Sequence, residues 1–247
     1  MPLYLVATPI GNLEDISFRA LKYLEGADLI YCEDTRVSIK LLNHFKITGK
    51  KLISCNKENE SRRALEIKEL LKNGQNIVLI SDAGTPLISD PGKLVLKEIW
   101  ETRESESMHA ENKDAVIPVG GISSLSSALS VCPIDTSRFI FEGFLPHGGK
   151  QRRRVLKKLV NETRAIVFFE SPHRIIDTLE DLKTIFSEDS QVFIAREMTK
   201  LHEDFFLGTA KTAITWLENK FPNAKIQGEF VLIFKNAICN ESCEEEG

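Results

Sequence analysis

Short apolar runs alternate with helix-patterned stretches along this chain, and that alternation constrains the fold more than any other feature. Leu3–Thr8, Ala27–Cys32, Lys51–Cys55, Ile77–Ile80 and Ala115–Val119 are rich in Val, Ile, Leu or Tyr and end in turn-forming residues. Between them, Phe18, Leu21 and Leu24 share one helical face below a cap at Asp15 or Ser17. Ser38–Phe45, Glu60–Lys72 and Lys93–Trp100 read as further helices, and Ser123–Ser124 opens one running through Leu129. Strands this short bury themselves by lying side by side under helices, which predicts a largely parallel sheet. The second half repeats the pattern. Phe139–Phe141, Ala165–Phe169, Gln191–Ala195, Asp204–Gly208 and Gly228–Phe234 read as strands, with helices at Arg152–Val160, Ile175–Ile185 and Ala210–Asn219. The expected organisation is two α/β domains, residues 1–120 and 121–237, and an acidic disordered tail, 238–247.

A length of 247 residues suffices for two cores, and 28% charged residues is ordinary for a soluble chain. No apolar run approaches the roughly 18 residues of a membrane span. The opening MPLYLVATPIGN lacks the basic and apolar segments of a secretion signal and reads as a strand. Five cysteines, none at C-x-x-C spacing, argue against a disulfide framework or a zinc site, so a reducing, cytoplasmic setting without metal is expected. The net charge of -4 hides two blocks: the acidic ESCEEEG at the end and KQRRRVLKK at 150–158, with six cations in nine residues. The polar stretch 101–115 reads as a solvated loop.

The chemistry gathers at strand exits. Pro9–Asn12, Glu33–Arg36, Ser81–Gly92, Gly121–Ser124 and Glu170–Arg174 each follow a predicted strand, and ligands of open parallel sheets bind beyond those ends. Gly11, Gly84 and Gly121 let backbone approach a ligand, while Pro86 and Pro91 stiffen the longest loop. Asp82 stands at a strand tip, where a carboxylate accepts from an amine or a ribose hydroxyl. Gly, Pro and Asp also form turns for purely local reasons. Neither G-x-G-x-x-G nor a P-loop is present, so the residues alone stop at an α/β enzyme with an unassigned cofactor.

These loops carry a resemblance. LVATPIGNLEDISFRA, YCEDTR, SDAGTPLISDPG, FEGFLP, FFESPHRI and AREMTKLHEDFFLGT resemble the tetrapyrrole methylase superfamily, in its branch that acts on ribosomal RNA, from about Leu3 to about Phe234. The resemblance implies two α/β domains with S-adenosylmethionine in the cleft between them. It implies a homodimer that methylates the ribose 2′-hydroxyl of a cytidine, cytidine 1402, in the decoding region of 16S rRNA. Carried over by motif position, the cofactor meets Pro9, Ile10, Gly11 and Asn12, then Asp82, Ala83, Gly84 and Thr85, then Gly121, Ser123 and Ser124, with Phe169 and Phe230 as later contacts. The family usually reads close to PGPSA where this chain has Gly120-Gly-Ile-Ser-Ser124, so this loop is expected to be more flexible.

Methyl transfer to a hydroxyl needs an in-line approach and a destination for the proton. Glu33, Asp34, Glu170, His173, Glu197, Lys200 and His202 are the candidates, with Glu170, His173 and Lys200 first among them. An imidazole is a suitable residue type for a general base, but His173 belongs to ESPHR, which also reads as an ordinary helix start. Glu170 and Glu33 orient substrate or pair with Arg174 and Arg36. Arg152, Arg153 and Arg154 in the basic helix, with Arg36, Arg174 and Arg196 on the motif loops, are the candidate RNA contacts, although charge runs are usually solvated helix faces. Two alternatives stand beside this: a methylase of a small tetrapyrrole, and a non-catalytic ribosome-binding homologue.

Overall fold

The structure, a computed structural model, describes residues 1–106, 116–222 and 225–237. It divides into two compact units, Met1–Ser123 and Ser124–Gly247. In the first, strands β1 (Leu3–Val6), β2 (Leu29–Cys32), β3 (Lys51–Ser54), β4 (Ile77–Ile80) and β5 (Val116–Val119) form one sheet in the order β3-β2-β4-β1-β5. Every pairing is parallel. Alternation sorts the side chains. Leu3, Leu29, Tyr31, Ile77 and Leu79 face α3 (Glu60–Lys72) and α4 (Lys93–Glu106). Val6, Ile30, Cys32, Val78 and Ile80 face α1 (Phe18–Gly26) and α2 (Thr35–His44). Both faces are covered, which is why β2 and β4 read as unbroken apolar runs.

Local chemistry sets the ends. The Ser17 hydroxyl accepts from the Ala20 N–H and starts α1. Asp34 does the same for α2, which begins three residues earlier than Ser38 because a cap outranks the first apolar residue. Phe18 does not join the α1 core face: it is 93% exposed, and Ala20 and Leu24 are buried instead. The stretch 101–106 continues α4 rather than opening a loop; 107–115 lie outside the described residues.

The second unit holds α5 (Ser124–Val131), β6 (Phe139–Phe144), α6 (Gly149–Lys158), β7 (Ala165–Glu170), α7 (Ile175–Ile185), β8 (Gln191–Arg196), β9 (Asp204–Gly208), α8 (Ala210–Lys220) and β10 (Phe230–Lys235). Its sheet order is β6-β7-β10-β8-β9. Only β6 and β7 pair in parallel; β10 runs antiparallel to both neighbours, and β9 runs antiparallel to β8. The expectation of a largely parallel sheet therefore fails here. Hydrophobic periodicity identifies a strand but not its direction, and the β8–β9 connection is too short for a helical crossover. Ile166, Phe168, Val192, Ile194, Leu232 and Phe234 pack on one side against Leu156, Leu179, Leu182 and Leu217 of the helices. The tail 238–247, with Cys239 and Cys243, lies outside the described residues.

Candidate active site

In the first unit the exits of β1, β4 and β5 are fastened together. Thr8 and Gly84 exchange backbone hydrogen bonds of 2.9 Å in each direction. The Thr8 hydroxyl donates to the Ser81 carbonyl at 3.2 Å, and the Ser81 hydroxyl turns back to the Gly84 carbonyl at 3.1 Å. Gly84 sits at φ +79°, and a Cβ there would approach the Ile10 side chain to 3.2 Å. At Gly121 a Cβ would meet the Ala7 Cβ at 2.9 Å, closer than carbon atoms tolerate. Glycine is favoured at Gly84 by the left-handed backbone and at Gly121 by the close approach of the Ala7 methyl. Pro9, Ile10, Gly11, Asp82 and Ala83 line one cavity of about 290 Å³. Thr85 and Ser123 stand against the same junction, and Asn12 receives the Glu14 N–H to start the short helix Leu13–Asp15.

The loop Ser81–Gly92 is held in a demanding shape. Leu87 (φ 74°) and Ser89 (φ 69°) occupy the left-handed region, which non-glycine residues avoid at roughly 1 kcal/mol or more each. The anchor is Glu60 of α3. Its buried carboxylate accepts the Gly92 N–H at 2.8 Å and the Leu94 N–H at 2.6 Å, closing the loop and capping α4. A second, polar cavity of about 410 Å³ is bordered by Glu33, Asp34, Thr35, Arg36, Ser54, Asn56 and Asp82. Asp82 accepts the Asp34 N–H at 2.9 Å. Burial, then the neighbouring carboxylates, raises the pKa values of Glu33 and Asp82, and Asp90 is pushed up to about 6 by burial and by the Glu33 charge. The Lys57 charge counters them at Glu33, and the Ser81 hydroxyl together with Lys57 counters them at Asp90. Half-buried carboxylates that repel one another suit a ligand carrying positive charge. Asp34 is different: it pairs with the exposed Arg36, which lowers its pKa to about 2.

In the second unit the candidates collect at one end of the sheet, where Phe230 of β10 lies opposite Glu170 of β7 and Arg196 of β8. Glu170 is not available for catalysis. Its fully buried carboxylate takes the Ser171 N–H, the Thr178 hydroxyl and the Arg174 guanidinium, each at 2.7 Å. Arg174 also donates to the Leu145 carbonyl at 2.8 Å, so it holds the turn together instead of meeting RNA. Arg196 is likewise internal: it donates to the Gln227 and His202 carbonyls and lies over the Phe221 ring. Arg152 is buried against Asp181 at 2.7 Å. The three arginine corrections share a cause. A guanidinium on an inward-facing position must find carbonyls or carboxylates, and sequence spacing alone did not distinguish inward from outward. His173 is exposed on the turn before α7. Lys200 joins Glu197 at 2.9 Å and Glu229 at 3.0 Å; burial pulls its pKa down, but those bonds outweigh it and hold it above the usual value as an ammonium. Phe169 packs edge-on to Phe141 and Phe144, while the Phe230 side chain is buried in the core.

Sequence reasoning missed Leu13 and the Val37, Ser38, Lys40 and Leu41 wall of the apolar cavity, as well as Ser54 and Asn56. The i, i+3, i+4 spacing of Val37, Lys40 and Leu41 on the helix after EDTR was the available signal. Among the described residues no group of three or more His, Cys, Asp or Glu side chains is arranged to hold a metal ion.

A glycine-tight junction of strand exits on a parallel sheet, joined to a second unit with a mixed sheet, defines a class. The chain belongs to the Tetrapyrrole (Corrin/Porphyrin) Methylases family, which it matches over residues 2–214. It is 50% identical over 224 residues to the ribosomal RNA small subunit methyltransferase I of Thermotoga maritima, covering 91% of this chain and 95% of that one. Among solved structures, diphthine synthase shares the fold at a TM-score of 0.67 and 17% identity, over 94% of this chain and 90% of that one. Uroporphyrin-III C-methyl transferase from Thermus thermophilus, solved with S-adenyl homocysteine, matches at 0.59 and 14% identity, over 95% and 97%.

Proposed function

We propose that this chain transfers a methyl group from S-adenosylmethionine to the 2′-hydroxyl of a cytidine in the decoding region of 16S rRNA, acting as a cytoplasmic homodimer. The observation that carries the reading is the 50% identity over 91% of the chain to a ribosomal RNA small subunit methyltransferase. The site chemistry supports it. S-adenosylmethionine supplies an electrophilic methyl on a sulfonium and would bring positive charge beside Asp82, which borders both cavities and whose charge acts on Glu33 and Asp90. Pro9, Ile10, Gly11, Ala83, Gly84, Thr85, Gly121, Ser123 and Ser124 are the residues that would hold it, and the fastened exits keep that wall rigid before the ligand arrives. In the second unit, His173 is the proton acceptor left of the three leading candidates, and Lys200, held as an ammonium, faces phosphate or the developing alkoxide. Positioning supplies most of the rate, because no single base stands out among the described candidates. The edge strand β9, with exposed Phe205 and Leu207, is the apolar surface that a second copy would cover.

Titration calorimetry with S-adenosylmethionine, run on the parent and on Asp82→Ala, tests the cofactor site, and methyl transfer to unmodified 30S subunits tests the substrate. The expected result is binding that Asp82→Ala weakens about tenfold, with transfer to the cytidine ribose. A parent protein that binds S-adenosylmethionine yet leaves 30S subunits unmodified would overturn the RNA assignment; equal affinity in the variant would overturn the site.

A further inference from the structure

The basic segment resolves into two tiers that the sequence does not separate. At 100° per residue, Val155, Leu159, Arg152 and Leu156 fall on one arc of α6, and these are its buried or half-buried positions. Lys150, Arg153, Arg154, Lys157 and Lys158 fall on a contiguous outward arc of about 140°, and all five are exposed. The inner tier neutralises the neighbouring helix. Arg152 pairs with Asp181 at 2.7 Å and lies 3.8 Å from Asp177, and Arg153 reaches Asp181 at 3.3 Å. The carboxylates that α7 presents to α6 are thereby engaged. Lys150, Arg154, Lys157 and Lys158 make no ion pair among the described residues, and α6 contains no acidic residue. In a chain whose net charge is -4, four unpaired cations spread over about 12 Å of one helix form a locally uncompensated surface.

From this geometry we infer that the outward face of α6, formed by Lys150, Arg154, Lys157 and Lys158, docks the phosphate backbone of the RNA substrate, with Arg152 acting only to position the helix. The inference rests on the reading of the chain as an RNA methyltransferase. Three lysine ammonium groups and the Arg154 guanidinium on that arc recognise charge, not base sequence. The contact therefore sets affinity and salt dependence and leaves the choice of nucleotide to the active site.

The test is a variant carrying Lys150→Gln, Arg154→Gln, Lys157→Gln and Lys158→Gln, compared with the parent in two assays. Filter binding to 30S subunits across a sodium chloride series reads the contact directly, and methyl transfer reads its use. Each phosphate contact to single-stranded RNA steepens the logarithmic salt slope by about 0.7, so four lost contacts flatten it by roughly three. KM for 30S subunits rises at least tenfold, while kcat, the S-adenosylmethionine affinity and the melting temperature stay at parent values. An unchanged slope and KM in a variant that still methylates would overturn the docking face. A flattened slope with no methylation by the parent would keep the docking face and overturn the proposed reaction.

Discussion

Replacing Glu170 by glutamine separates a structural role from a catalytic one. The side chain keeps its shape and loses its charge. Three donors converge on the carboxylate, and the Arg174 side chain that it neutralises is only 11% exposed. Removing one member of a buried pair costs about 3–5 kcal/mol, because the survivor stays charged and unpaired. Arg174 keeps its bond to the Leu145 carbonyl, which places the loss toward the lower end, near 3 kcal/mol. For a unit of this size that lowers the melting midpoint by about 10 °C. The double variant Glu170→Gln/Arg174→Met removes both charges and regains at least half of the loss. Urea unfolding followed by far-UV circular dichroism gives the energies, and methyl transfer per folded molecule, measured well below the midpoint, gives the activity. The reasoning requires a large stability change with activity within a few-fold of the parent. A Glu170→Gln protein as stable as its parent but a hundredfold slower would refute it and return Glu170 to the chemistry.

Two further outcomes follow from the first unit. Gly121→Ala drives a methyl into the Ala7 Cβ, so it should destabilise by about 1–3 kcal/mol and weaken S-adenosylmethionine binding about tenfold. Gly120→Ala, where nothing lies within 4 Å, should leave both within error, and calorimetry on the pair checks the contrast. Asp90→Asn should alter the pH dependence of stability. The folded-state pKa is raised from 3.8 to about 6, so the folded protein binds that proton more tightly than the unfolded chain. The contribution is present below the unfolded value and is lost as pH rises through about 6. The substitution therefore stabilises by about 1–2 kcal/mol at pH 8, after allowance for solvent access, and by nothing near pH 4; denaturation at both pH values decides it.

The sequence made the first sheet legible because parallel strands covered on both faces read as pure apolar runs, and β4 is found at the predicted limits, Ile77–Ile80. Direction in the second sheet was hidden, since alternation is the same for either sense. The glycine-bearing loops marked the junction of strand exits because a missing Cβ is a constraint visible in one letter. The arginines misled. Arg152, Arg174 and Arg196 look like surface cations in one dimension, and only packing shows that each reaches a carboxylate or a carbonyl inside. Glu60 gave no signal at all: its partners, the Gly92 and Leu94 amides, lie some thirty residues away.

The last strand of the second sheet lies in its middle, with β7 on one side and β8 on the other. The first sheet is complete once β5 has been made, and all its pairings join segments already synthesised. The second has no such order. Until Phe230–Lys235 leaves the ribosome, β7 and β8 have no common neighbour, and β8 with β9 can exist only as an isolated hairpin with an open edge. A nascent chain stalled before Phe230 would therefore carry a finished amino-terminal unit and an exposed, adhesive remainder. Translation speed near that strand, rather than the stability of the finished fold, sets how long the remainder is vulnerable to aggregation or proteolysis.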